Sequence, residues 1–191
     1  MLVAPISIEH TSNKAEELIL GIDLDTKLLS KFHMNAFEAK DLNFGSVYSI
    51  EGYSVINDVQ EYTCRQANIN KSDFQVNMVE LLDSMSVYPM AIKSPGNHGN
   101  ICKITEVNNI IFQKNNIKLW CKIAGFSNEM ITFNIKDAKW IEYISKNNDE
   151  ESYEILRNYL INRKIHNLYA ILDYSTVQIG AELICVGLVL V

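Results

Sequence analysis

The chain has 191 residues, 48% of them hydrophobic and 21% charged, with a formal net charge of -6. That balance supplies apolar surface for a real core and excludes a disordered chain, and no apolar run approaches the roughly 20 residues of a membrane helix. Residues 1–90 carry 6 Lys and Arg against 13 Asp and Glu, and residues 91–191 carry 11 against 10, so the acidic front half repels phosphate and any nucleic-acid contact falls to the back half.

The opening Met1-Leu2-Val3-Ala4-Pro5-Ile6 lacks a basic n-region and is short for a secretory segment, so a cytoplasmic protein is expected. Residues 2–8 are apolar and rich in β-branched side chains, and they predict a strand. A polar loop at 10–14 leads to a second strand at 17–24, closed by a turn at Asp25-Thr26-Lys27. Residues 47–51 and 53–56 alternate as half-buried strands do, with Gly52 between them marking a bulge or tight bend. Apolar residues at helical spacing predict a short helix over 77–85. Ser94-Pro95-Gly96-Asn97-His98-Gly99-Asn100 then combines the strongest turn formers in the chain. We place a boundary there, giving domains 1–95 and 96–191.

The back half begins with strand pieces at 101–104 and 109–112, followed by strands at 118–123 and 130–135 that flank a hairpin turn at Gly125-Phe126-Ser127-Asn128. A short helix over 137–144 carries Trp140. A longer one over about 149–164 opens with three acids and ends near Arg163 and Lys164, which suits the helix macrodipole. Strands at 168–172 and 182–191 close the chain, the last expected to be central and buried. Strand and helix do not alternate as in a doubly wound sheet. The fold class is mainly β, a β-rich α+β protein of small antiparallel barrels with a few short helices.

This order of elements resembles the dual OB-domain family, in which two small oligonucleotide/oligosaccharide-binding β-barrels lie in one chain. The resemblance rests on the opening strand, Leu20-Gly21-Ile22-Asp23-Leu24-Asp25-Thr26 and Phe44-Gly45-Ser46-Val47-Tyr48-Ser49-Ile50. In the back half it rests on Leu119-Trp120-Cys121-Lys122-Ile123, Ile135-Lys136-Asp137-Ala138-Lys139-Trp140, and the strands at 168–172 and the chain's end. It implies two OB-like barrels and, as the default function, binding of single-stranded nucleic acid or a nucleotide on an open sheet face.

Lys118, Trp120 and Lys122 alternate and so project from one face of a strand, with Leu119, Cys121 and Ile123 on the other. Bases stack on aromatic rings and lysines hold phosphate, which makes these three the nucleic-acid-binding candidates. The competing reading puts Trp120 in the core. Trp140, beside Ile141 and Ile144, reads as core.

Other chemistry is weaker. Cys64, Cys102, Cys121 and Cys185 lie far apart with no C-x-x-C pair, so neither a metal site nor a disulfide framework is expected, and Cys121 and Cys185 read as buried and inert. His10, His33, His98 and His166 show no metal-binding spacing and read as surface histidines. Asp23 and Asp25 could pair on one strand face to hold Mg²⁺, or simply end a strand in a turn; the turn is favoured. Pro95-Gly96-Asn97-His98-Gly99-Asn100 could cradle phosphate but lacks a P-loop ending, and reads as a linker. No catalytic residue, cofactor or metal is expected. The reading is a binding module, with an adaptor or inhibitor that sets its acidic front half against a basic protein partner as the alternative.

Overall fold

A computed structural model describes residues 1–11, 13–57, 60–86, 100–113, 116–125, 129–147, 149–162, 167–175 and 182–191. The expected boundary near residue 95 lies outside them. The chain divides into two compact units, Met1–Leu81 and Leu82–Val191. Helix α2 (Met78–Met85) carries the chain across that division.

The first unit contains β1 (Leu2–His10), β2 (Glu16–Asp23), β3 (Leu28–Asn35), the short helix α1 (Ala36–Lys40), then β4 (Tyr48–Glu51), β5 (Ser54–Asn57), β6 (Glu61–Thr63) and β7 (Asn68–Lys71). They form one sheet in the order β5-β6-β3-β2-β1-β4-β7. β1, β2 and β3 run as an antiparallel meander, β3 pairs in parallel with β6, and β1 pairs with β4. This is the order of an OB barrel opened at one seam. Among the described residues β4 and β6 do not pair with each other, because β7 lies against β4 and β5 against β6.

The expected strands at 2–8 and 17–24 are present as β1 and β2, and the turn at 25–27 joins β2 to β3. β3 and α1 were not foreseen. In β3, Phe32 and Met34 alternate inward, but Leu28-Leu29-Ser30-Lys31 obscures the period of two, since both Leu29 and Ser30 are buried. β1 and β3 press on β2 at Gly21, where an added Cβ would stand 2.7 Å from Val3 Cγ1 and 3.1 Å from Phe32 Cε2. Gly52 makes the bend between β4 and β5 at φ +77, in the left-handed region that favours glycine.

The second unit contains β8 (Asn100–Gln113), β9 (Asn116–Ile123), β10 (Ile131–Ile135), α3 (Ala138–Lys146), α4 (Glu150–Asn162), β11 (Leu168–Ser175) and β12 (Glu182–Leu190). The strands close into a barrel in the order β10-β12-β11-β8-β9. Three strands meander, the third pairs in parallel with the fifth, and helices separate the third from the fourth; this is the OB topology. The closing strand β12 is paired on both sides and buried, as its sequence implies.

The two strand pieces expected at 101–104 and 109–112 are one strand. Its register slips between Ile104 and Glu106 and again between Val107 and Asn109. Each bulge adds one residue, so the buried side chains Ile104, Val107 and Ile110 recur every three residues instead of every two. They join Leu119, Cys121 and Phe133 in the barrel core. All four cysteines are buried, and burial pushes the Cys64, Cys102 and Cys121 thiols up to about 12 and Cys185 higher than its ordinary value.

Helix α3 is fastened by Asp137, a fully buried carboxylate at its N-cap. Asp137 Oδ1 accepts from the Lys139 backbone N–H at 3.0 Å, and Oδ2 accepts from the Leu188 N–H of β12 at 3.0 Å. Trp140 packs half-buried against the core, as expected, and its indole N–H donates to the Leu188 carbonyl at 2.8 Å. The acids opening α4 are capped within the chain: Asp149 accepts from the Ser152 N–H at 2.8 Å and from its hydroxyl at 2.7 Å. Arg163 and Lys164 lie outside the described residues. No helix among the described residues is long and apolar enough to cross a membrane.

Candidate nucleic-acid interface

β9 is the second strand of the closed barrel, and its alternation divides it cleanly. Ile117, Leu119, Cys121 and Ile123 are buried in the core, whereas Lys118 is exposed and Trp120 and Lys122 are half-exposed on the outside. Trp120 takes no part in the barrel core cluster.

The neighbouring strands complete the surface. Trp120 stands opposite Asn109 of β8 on one side and Thr132 of β10 on the other. Lys118 stands between Ile111 and Asn134, and Lys122 opposite Glu106. Directly opposed residues on one sheet face are close enough for their side chains to interact. The outer face therefore has an aromatic centre, an amide and a hydroxyl beside it, and a lysine two residues away in each direction along the strand.

The two lysines differ. Lys122 Nζ is 2.7 Å from Glu106 Oε2, an ion pair across the β8–β9 ladder, with the Lys122 side chain 33% exposed. Lys118 is in no ion pair among the described residues. The sequence places all three candidates on one strand, but Glu106, Asn109 and Thr132 join them only through the bulged register of β8 and the pairing of β10. No local sequence signal marks those partners.

The histidines separate. His33 is not a surface histidine: it is 23% exposed, with Nε2 2.7 Å from Glu61 Oε1 and Nδ1 3.3 Å from Glu16 Oε1. Three adjacent strands, β2, β3 and β6, bring these groups together, which spacing in sequence could not reveal. Glu16 is also gripped by Arg65, whose Nε and terminal nitrogen lie 3.1 and 2.7 Å from its two oxygens. The Arg65 guanidinium, the largest influence, holds the Glu16 carboxyl below its usual range. The side chain of His10, and all of His98, His166 and residues 95–99 of the glycine-rich loop, lie outside the described residues.

Asp23 and Asp25 do not converge. Asp23 is buried at the end of β2, where Oδ1 accepts from the Asp25 N–H at 3.0 Å and Oδ2 from the Thr26 hydroxyl at 2.9 Å, while Asp25 is exposed in the turn. The pair is a turn cap. A second cluster missed from sequence joins Asp83 of α2 to Lys103 Nζ at 2.7 Å and to the Tyr169 hydroxyl at 2.7 Å, fastening the end of α2 to the barrel wall. Those hydrogen bonds hold the Asp83 carboxyl below its usual range.

No protein-family model and no curated protein sequence matches this chain. Among solved structures it is similar to a murine DNA-binding protein bound with double-stranded DNA, at 8% identity and TM-score 0.40, covering 100% of this chain and 98% of that one. A HINa domain in complex with double-stranded DNA is similar at 8% identity and TM-score 0.43, covering 97% of this chain and 91% of that one. A HINb domain is similar at 7% identity and TM-score 0.43, covering 100% of this chain and 96% of that one.

Proposed function

We propose that this protein is a non-catalytic binding module that takes single-stranded nucleic acid or a nucleotide on the outer face of β8, β9 and β10. The observation that carries this reading is the placement of Trp120 outside the core, on the second strand of an OB barrel, between Lys118 and Lys122. OB barrels use this part of their surface for nucleic acid. A base freed from its neighbours stacks on the indole, and stacking contributes about 1–3 kcal/mol per base whatever the base. A duplex keeps its bases stacked on one another and offers the indole no free face, so single strands are favoured. Lys118 supplies charge to the phosphate, and Asn109 and Thr132 supply hydrogen-bonding groups beside the ring.

The test is anisotropy of labelled single-stranded DNA and RNA, with a duplex of the same sequence alongside, at low and at physiological salt. Saturable binding that weakens with salt is expected, stronger for the single strands. Trp120→Ala should weaken it by about 5- to 150-fold, the equivalent of one lost stacking contact, with no fall in thermal stability. Absence of binding at both salts would refute the single-strand reading, and an unchanged affinity in the variant would refute the place given to this face.

A further inference from the structure

The outer face of β8, β9 and β10 is not evenly basic along its length. At one end stands exposed Lys118, opposite Asn134. Two residues beyond Asn134 comes exposed Lys136, one residue past the end of β10 and at the same end of the face. At the other end Lys122 is already paired with Glu106 at 2.7 Å. Two cations without an acid beside them in register therefore mark one end, and a cation already neutralised by a carboxylate marks the other. Trp120 lies between.

Strand geometry sets the scale. Lys118 and Trp120 are two residues apart, about 7 Å along the strand, a span that one nucleotide covers from its phosphate to its base. A second phosphate, continued past Trp120, would meet the Lys122–Glu106 pair instead of a free lysine. Carboxylates accept hydrogen bonds from an exocyclic amine or a ribose hydroxyl, but they repel phosphate. From this charge polarity we infer that the face takes a single nucleoside phosphate, either free or as the phosphorylated end of a strand, and does not track a continuing backbone. The inference rests on the reading of this face as nucleic-acid-binding and narrows its ligand.

The experiment titrates the full chain by calorimetry with adenosine, adenosine 5′-monophosphate, and 5′-phosphorylated oligoriboadenylates of two, four and eight nucleotides. A circularised octamer, which has no end, completes the series. The monophosphate and the linear octamer should bind within about threefold of each other, with the same salt dependence, because each neutralises the same lysines. Adenosine and the circle should bind at least about tenfold more weakly, having lost the terminal phosphate. Equal affinity for monophosphate and phosphorylated octamer identifies the terminal phosphomonoester as the shared ligand. Tighter binding of the monophosphate assigns the free nucleotide as its source, and a single step at the dinucleotide with no rise beyond it assigns the strand end. An affinity that climbs about tenfold or more with length, with a steepening salt dependence, would overturn the inference and leave the broader nucleic-acid reading standing. Binding of none of these probes would overturn both. The variant Glu106→Gln, which frees Lys122, should convert the flat length dependence into a rising one, and a profile that stays flat would refute the role given to this ion pair.

Discussion

Removing the Asp137 carboxylate should unfold the second unit at a markedly lower temperature than in the wild type. The side chain is completely buried and accepts two backbone N–H groups, those of Lys139 and Leu188. Asp137→Ala orphans both. The Leu188 N–H lies in the buried strand β12 and has no route to water, so it carries the full desolvation penalty of about 1–3 kcal/mol. The Lys139 N–H lies in the first turn of α3, and loss of an N-cap costs typically about 1 kcal/mol. Together these reach roughly 3 kcal/mol, which for a unit of this size corresponds to a fall of roughly 10–15 °C in Tm. Asp137→Asn retains one acceptor oxygen and should lose about half as much. Both tryptophans, Trp120 and Trp140, belong to the second unit, so their emission follows its unfolding alone in a thermal or urea titration. An alanine variant that loses less than about 1 kcal/mol, or an asparagine variant as damaged as the alanine one, would refute this account of how α3 is held.

Three further outcomes follow from the same geometry. Lys118→Ala should weaken single-strand binding more than Lys122→Ala, because Lys122 must first leave Glu106; anisotropy over a salt series should show the slope of log affinity falling by about 0.7 for the first and by less for the second. Glu16 has a carboxyl held low by Arg65, so its pairing stabilises the first unit above the ordinary carboxylate range and is lost as pH falls through the lowered value. Acid unfolding followed by near-ultraviolet circular dichroism of the tyrosines should therefore be less steep in Arg65→Gln, and an unchanged profile would count against the pairing. Gly21→Ala should destabilise the first unit by about 1–3 kcal/mol through the clash with Val3; adding Val3→Ala should recover part of that loss in a urea titration, and purely additive losses would point to a different cause.

How far the sequence could be read depended on whether a strand kept its period. β9 and β12 have uninterrupted patterns and were legible, as were α2 from its helical spacing, α3 as a short helix carrying Trp140, and α4 from its acidic start. β8 was not legible as one strand, because its two bulges turn a period of two into steps of three and leave polar Thr105, Glu106, Asn108 and Asn109 looking like a break. β3 was lost because Ser30, a residue with no apolar signature, is buried beside Leu29. Lys118, Trp120 and Lys122 could be chosen from alternation alone. Their partners Glu106, Asn109 and Thr132 could not, since a one-residue slip of register changes every cross-strand neighbour.

The sequence by itself determined the mainly β character of the chain, the inward and outward faces of β9, and the acidic balance of the front half. Each is a property of consecutive residues, and alternation or composition records it directly. Tertiary structure decided the rest: that among the described residues the second sheet closes while the first does not, that His33 meets Glu16 and Glu61, and that Glu106 occupies Lys122. Those outcomes depend on strand order and register, which bring together groups that no local pattern relates. The same β9 sequence in another register would keep its two faces and present a different charge to its ligand.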